Sequence, residues 1–178
     1  MNTEYQTFLN LCQERRSIRH YTSQPIPHKT IEDILKIGAL APSSYGQNPV
    51  EFFVIEGREN LDSLADCKAM GAPSVRNAQV AVVVAADTDK GELWVEDASV
   101  AAENILLAAQ SLGIGACWNQ IHLRKGQHTS ASREICSLIG IPSRYEVLCI
   151  ISLGFPAEQK SPRNAEKMSE NRIHFIAN

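Results

Sequence analysis

The residues best suited to hold a charged ligand form a short basic run near the start of the chain. Arg15-Arg16-Ser17-Ile18-Arg19 places three guanidinium groups and a hydroxyl within five residues. In an extended segment alternate side chains share a face, so Arg15, Ser17 and Arg19 can point toward the same ligand. Arginine suits a phosphate because its planar fork donates two charge-assisted hydrogen bonds. Taken alone, such a run is more commonly a solvated basic patch.

A polar loop offers a second group of ligand-binding atoms. Residues 41–53 place Pro42, Ser43, Ser44 and Gly46 ahead of an apolar run that enters a strand. Short hydroxyls, amides and backbone N–H groups are what the polar edge of a heterocycle requires. An ordinary helix-to-strand connector is the alternative explanation of this segment.

Two later segments complete the set of candidates. Residues 112–120 contain two glycines and end in Trp118-Asn119-Gln120. They do not predict a dinucleotide-binding loop, because here the glycines close a helix and precede a strand, which is the reverse of that motif. Leu153-Gly154-Phe155-Pro156 is a predicted strand end, and the cations Lys160 and Arg163 follow it in a polar tail.

Hydrophobic periodicity predicts the elements that position these segments. The strongest is an alanine-rich helix over 93–112, apolar on most of its circumference, for which a second subunit or the chain's own sheet could supply cover. Dense apolar runs predict buried strands at 52–55, 80–86, 115–121 and 146–153. Further helices are predicted over 3–14, from Pro27 to Pro42, over 60–70 and over 132–139, with a turn at 72–74.

Composition limits the class of protein. The 178 residues carry 17 Lys and Arg against 20 Asp and Glu, without long blocks of like charge, which argues against a nucleic-acid partner. The five cysteines form no CxxC pair, the start of the chain has no basic and apolar leader, and polar residues interrupt the stretch 98–118. We therefore expect one domain over 1–178, in the cytoplasm and not in a membrane. The five histidines lack metal-ligand spacing, so no metal is expected.

Taken together and in order, the four segments resemble the FMN-dependent nitroreductase family. Arg15, Arg16, Ser17, Arg19 and Tyr21 match its paired-basic, Ser, basic and aromatic motif, and residues 41–44 match its Ala-Pro-Ser-Ser. The alanine-rich helix that ends in Leu-Gly before a Cys-Trp strand is matched by 98–118. The Leu-Gly-aromatic-Pro turn before a basic pair is matched by 153–156 with Lys160 and Arg163.

The resemblance implies an α+β fold: a three-layer α/β/α sandwich with a central mixed, mostly antiparallel sheet flanked by helices, in an intertwined homodimer. It also implies tightly bound, non-covalent FMN, with NAD(P)H as the electron donor and a small molecule such as a nitroaromatic or quinone as the acceptor. The implied chemistry is ping-pong, and no side chain need act as a catalytic acid or base because the flavin carries the electrons.

Carried over residue by residue, the resemblance assigns a cofactor role to thirteen positions. Arg15 and Ser17 would face the FMN phosphate, and Arg19 would face the N1 and O2 edge, where a cation stabilises the charge of reduced flavin. Lys160 and Arg163 would close over the phosphate. The remaining assignments are Arg16 to FMN, backbone near Trp118, Asn119 and Gln120 to N5 and O4, and Pro42, Ser43, Ser44 and Gly46 to the flavin of the other subunit.

This sequence departs from the family pattern at three places. Gly46 stands where Asn is frequent, Asn48-Pro49-Val50 replaces Gln-Pro-Trp, and Gln120-Ile121 replaces a pair that often contains glycine. Two alternatives therefore stay open: a flavin-binding carrier or redox sensor with little turnover, and a same-fold enzyme that performs dehydrogenation or reductive dehalogenation.

Overall fold

The computed structural model describes residues 2–177 and is built around one four-stranded sheet. The strands are β1 (Val50–Glu56), β2 (Val80–Asp87), β3 (Gly115–Gln120) and β4 (Tyr145–Gly154), in the order β1-β2-β4-β3. All three pairings are antiparallel. β1 and β3 are therefore the edge strands, and the outer side of β3, which carries Trp118, pairs with no other strand of the sheet.

Within residues 2–177, seven α-helices surround the sheet. Local sequence explains several of their ends: the Asn2 side chain accepts a hydrogen bond from the N–H of Glu4, and Gly140 ends the sixth helix at φ 71°, a conformation that glycine adopts readily. The helices are α1 (Thr3–Glu14), α2 (His28–Ala39), α3 (Arg58–Asp66), α4 (Pro73–Arg76), α5 (Trp94–Ser111), α6 (Ala131–Ile139) and α7 (Ala165–Ser169).

The core has two halves, one on each face of the sheet. Along β2, Val80, Val82 and Val84 pack against α2 and α5, whereas the alternate residues Ala81 and Val83 pack against α3, α4 and α6. A strand buried on both faces needs apolar residues at every position, which is the reason for the continuous valine and alanine run. The three-layer α/β/α sandwich is thereby confirmed.

The predicted elements are present with small differences at their ends. Residues 72–74, expected as a turn, begin the one-turn helix α4, in which Pro73 occupies the first turn, where its missing N–H costs nothing. The sheet, expected as mixed and mostly antiparallel, pairs its four strands antiparallel. Within residues 2–177 its parallel component is limited to an isolated bridge between Ser17 and Ala116.

Helix α5 is covered mainly by the chain itself. Ala98, Ala102 and Ile105 are fully buried between the sheet and α2, but Val100 and Leu112 remain about half exposed. No helix between residues 2 and 177 combines the length and the apolar character that a membrane crossing requires.

Candidate functional site

The basic run lies along the outer edge of β3. Ser17 forms a parallel bridge with Ala116, and the N–H of Ile18 donates to the carbonyl of Ala116 at 2.9 Å. Gly115 allows this close approach, because a Cβ there would meet the Ile18 side chain at 2.9 Å. The first and third candidate segments are therefore joined through the backbone.

The segment after β4, residues 155–163, runs back across the same place. Thr22 N–H donates to the carbonyl of Phe155 at 2.8 Å, and Ala157 N–H donates to that of His20 at 2.9 Å. Further along, the N–H of Arg163 donates to the Gln13 carbonyl at 2.8 Å, and the Gln13 side chain returns a bond to the Arg163 carbonyl at 3.0 Å. Three of the four candidate segments thus converge at one end of the sheet.

Tyr21 fastens these segments to the core. A Cβ at Gly154 would lie 2.7 Å from three Tyr21 side-chain atoms, so the ring lies directly on the glycine. The hydroxyl donates to the Ile18 carbonyl at 2.5 Å and lies 2.9 Å from the Ser152 hydroxyl. Burial raises the pKa of Tyr21 far above its ordinary value, so the phenol stays protonated. Sequence analysis included Tyr21 in the motif but assigned it no function.

The cations of the basic run point to different partners. Arg15 is largely shielded, with its side chain 17% exposed, and its Nε lies 3.5 Å from the half-exposed carboxylate of Glu103 on α5. Arg16 turns the other way and donates to the carbonyl of Ser161. Arg19 has an exposed side chain. The consecutive residues Arg15 and Arg16 therefore contact different parts of the chain, and a shared face for Arg15, Ser17 and Arg19 stays a prediction.

The two cations of the return segment are also placed differently from one another. The Lys160 ammonium donates to the Ser17 carbonyl at 2.5 Å and lies 3.3 Å from Glu158. Arg163 is exposed. In this chain Lys160 therefore binds the backbone of the basic run, while Arg163 keeps its side chain toward solvent.

Besides Glu103, sequence reasoning missed the carboxylate of Glu158 in this cluster. Glu158 Oε1 accepts from the N–H groups of Arg19 at 2.6 Å and His20 at 3.3 Å. The Arg19 N–H, together with Lys160, holds the pKa of Glu158 below its ordinary value despite partial burial. The ionised carboxylate fixes the shape of the basic run. A single acidic residue in a polar tail gives no sequence signal for such a contact.

The end of β3 presents backbone groups along the same outer edge of the sheet. Hydrogen-bonding direction alternates along a strand, so Trp118 and Gln120 direct their N–H and C=O groups outward, as Ala116 does. Their side chains bond to each other, with the Trp118 indole donating to Gln120 Oε1 at 2.8 Å. Asn119 is turned inward, where its amide oxygen accepts from the Ser74 hydroxyl at 2.6 Å.

The remaining candidate segment, the polar loop that begins at residue 41, follows the C-terminal end of α2. Pro42 and Gly46 are exposed, while Ser43 and Ser44 are partly buried. The N–H and hydroxyl of Ser44 both donate to the Asp97 carboxylate at 2.9 and 3.0 Å. Within residues 2–177 no hydrogen bond joins this loop to the other three segments.

The fold and the site together define an α+β sandwich protein that carries a cluster of cationic residues along the outer edge of a central antiparallel sheet. The family model described as "Nitroreductase family" matches residues 12–94 and 66–155. The chain belongs to the nitroreductase family.

Individual proteins agree with this assignment. The chain is 39% identical over 171 residues to an Archaeoglobus fulgidus protein provisionally named NADH dehydrogenase/NAD(P)H nitroreductase, with 93% of this chain and 95% of the relative covered. It is similar to the structure of an FMN-dependent nitroreductase from Clostridium difficile R20291, with a TM-score of 0.90, 37% identity and 96% and 99% of the two chains covered. It also resembles a provisionally named nitroreductase from Desulfovibrio desulfuricans solved in complex with FMN, with a TM-score of 0.72, 28% identity and 94% and 95% coverage.

Proposed function

We propose that this protein is an FMN-dependent oxidoreductase that passes electrons from NAD(P)H to a small-molecule acceptor such as a nitroaromatic or a quinone. The observation that carries this proposal is the convergence of the basic run, the outer edge of β3 and the return segment at one end of the sheet. Membership of a family with an FMN-dependent member of closely similar fold supports it.

The residues present fit FMN at both of its polar parts. Arg15, Ser17 and Arg19 offer two guanidinium groups and a hydroxyl within five residues, and on a shared face they would suit a phosphate and the ribityl chain. The outward backbone of Trp118 and Gln120 offers both donors and acceptors, as the N5 and O4 edge of the ring requires. Exposed Arg163 lies on the segment that crosses the basic run, where its N–H donates to the Gln13 carbonyl.

When bound, FMN supplies the transfer of two electrons as hydride between a reduced nicotinamide and the acceptor. The chain binds, orients and tunes this group. Arg19 would supply a cation that stabilises negative charge on the reduced ring, and Glu158 holds the Arg19 backbone in position. Tyr21 stays protonated, and its hydroxyl is engaged within the protein, so its role is to position the basic run.

The proposed turnover is of the ping-pong type, in which donor and acceptor use one exposed ring face in turn. We assign no catalytic acid or base: Glu103 pairs with Arg15, Glu158 is bound to backbone N–H groups of the basic run, and protons are taken from water. NADH and NADPH are both compatible with the proposal.

We further propose a homodimer in which each FMN lies between two protomers. Apolar side chains that a single chain leaves uncovered support this arrangement: Phe175 is 94% exposed, and Ile176 and Phe8 are also exposed. The C-terminal tail would cross the neighbouring protomer, and Pro42, Ser43, Ser44 and Gly46 would complete the neighbour's flavin site.

We propose a cytoplasmic location. The cysteines are free, most of them are buried, and burial raises the pKa of Cys67 to about 11, which suits a reducing compartment.

Absorption spectroscopy tests the function. Freshly purified protein should be yellow or should take up added FMN, and stopped-flow mixing with NADH or NADPH should bleach the flavin band rapidly. Protein that stays colourless in excess FMN would refute the proposal. Flavin that binds but is not bleached within minutes would favour the carrier or sensor, and an acceptor screen separates nitro or quinone reduction from dehydrogenation and dehalogenation.

A further inference from the structure

The loop that follows α2 has a backbone that needs support. Tyr45 and Asn48 have φ values of 53° and 46°, and Gly46 between them has 68°. The left-handed region is unfavourable for side chains such as that of Tyr45, and such conformations persist where the surroundings hold them. The loop therefore needs contacts that hold this shape.

Some of these contacts lie within the loop. The Asn48 N–H donates to the Ser43 hydroxyl oxygen at 2.9 Å, and the Asn48 amide donates to the Gly46 carbonyl at 2.9 Å. These bonds give the loop a fixed internal shape but do not attach it to the rest of the protein. Attachment requires a partner outside the loop.

Asp97 is that partner. It lies in the first turn of α5, is 6% exposed, and receives both the N–H and the hydroxyl of Ser44 on one carboxylate oxygen. A carboxylate at this position is favoured by the positive end of the helix dipole, and two donors compensate for part of its lost hydration. The contact spans 53 residues of sequence and joins the loop to the long helix α5, which packs in the core.

This contact also limits what Ser44 can do. A serine hydroxyl has a single proton to donate, and the backbone has a single N–H. Both are directed to Asp97, so in this arrangement Ser44 has no donor left for a flavin carbonyl or phosphate oxygen.

We propose that Asp97 is a positioning residue for the cofactor site: its buried carboxylate holds the segment Pro42–Gly46 in the shape that contacts the neighbouring protomer's FMN. Ser44 acts through Asp97 and not as a direct flavin ligand. This inference rests on the proposed function, since it concerns how the flavin site is held.

A double-mutant cycle on the full-length protein tests it, with the Kd for FMN measured by quenching of FMN fluorescence. Asp97→Ala should raise Kd at least about tenfold, because both bonds to Ser44 are lost. Asp97→Asn should restore most of the affinity, because an amide oxygen can still accept from both donors. Glu96→Ala, which removes the exposed carboxylate next to Asp97, is the matched control and should leave Kd unchanged.

The Ser44 arm separates positioning from direct contact. If Ser44 acts through Asp97, Asp97→Ala combined with Ser44→Ala should bind FMN no more weakly than Asp97→Ala alone. If instead the fold-changes in Kd of the two single variants multiply in the double variant, Ser44 is a direct ligand, and that part of the inference is overturned. Hydrogen–deuterium exchange gives a local readout: amides of residues 43–48 should exchange faster in Asp97→Ala, while those of α5 around Ile105 stay protected.

The possible failures are distinguishable. A wild-type protein that binds no FMN would refute the proposed function itself. If Asp97→Ala binds FMN as tightly as the wild type, or if its amides over residues 43–48 exchange at the wild-type rate, only the role of Asp97 is overturned. If Asp97→Ala does not fold, Ser44→Ala carries the exchange test, because it removes one of the two bonds and should loosen the same amides.

Discussion

Replacement of Arg15 by alanine gives the sharpest test of the cofactor site. The guanidinium is largely shielded from water, at 17% exposure, so a charge-assisted bond from it to phosphate should contribute about 1.5–3 kcal/mol. Loss of that bond should raise the Kd for FMN by roughly 10- to 100-fold. Fluorescence titration at fixed ionic strength measures the change, since screening weakens such contacts.

The Glu103 partner supplies an internal comparison. Arg15 lies 3.5 Å from the half-exposed Glu103 carboxylate, and an ion pair of this kind contributes only about 0–1 kcal/mol. Arg15→Ala should therefore lower Tm by at most about 4 °C, and Glu103→Gln should leave FMN affinity unchanged or tighten it by up to about fivefold.

A remote arginine controls for the loss of positive charge. Arg133 lies on α6 and pairs with Glu146. Arg133→Ala therefore removes a positive charge away from the basic run and should not change the Kd for FMN. If Arg15→Ala binds FMN with wild-type affinity, Arg15 is not part of the site. If Arg133→Ala weakens FMN binding as much as Arg15→Ala does, Arg15 acts only through its contribution to the overall charge.

Three further outcomes follow from other parts of the molecule. Gly154→Ala should displace the Tyr21 ring, with a loss of about 1–3 kcal/mol in denaturant unfolding and weaker FMN binding; unchanged stability would show that the ring can move freely. Burial raises the pKa of the Asp87 carboxyl, but its arginine partner and a backbone N–H outweigh burial, so the pKa lies below the ordinary value. The carboxylate thus stabilises the fold at neutral pH and loses this contribution as pH falls below about 4; Asp87→Asn should lower stability at pH 7 and flatten its acid dependence in urea melts. Removal of residues 172–178 should shift the protein from dimer to monomer in light scattering, and an intact dimer would argue against a tail that crosses the neighbour.

The fold was predictable because its signals are local. The run of valines and alanines from Val80 marks a strand buried on both faces, and the alanine-rich stretch that ends at Gly113 marks the long helix α5. Strand order was not predictable in the same way. A residue pattern specifies which faces are buried, but it does not specify which strands lie side by side, and the all-antiparallel pairing follows from that arrangement.

The candidate site was predictable in its segments and not in its contacts. The sequence indicated that the basic run, the loop after α2, the end of β3 and the return segment belong together, because their residue types and order resemble a known family. It contained no signal for the pairing of Arg15 with Glu103, or for Glu158 on the backbone of Arg19. These contacts join residues far apart in sequence, and the sequence around the two glutamates carries no motif that would mark them.

The sequence by itself determined the two-faced core, the long helix and the supply of cations at both ends of the chain, since these follow from periodicity and composition. Only the tertiary structure decided which polar groups are already engaged, as Ser44 is with Asp97 and Lys160 is with Ser17. The physical reason is that a donor's availability depends on its nearest acceptor in space, and folding brings that acceptor from another part of the chain.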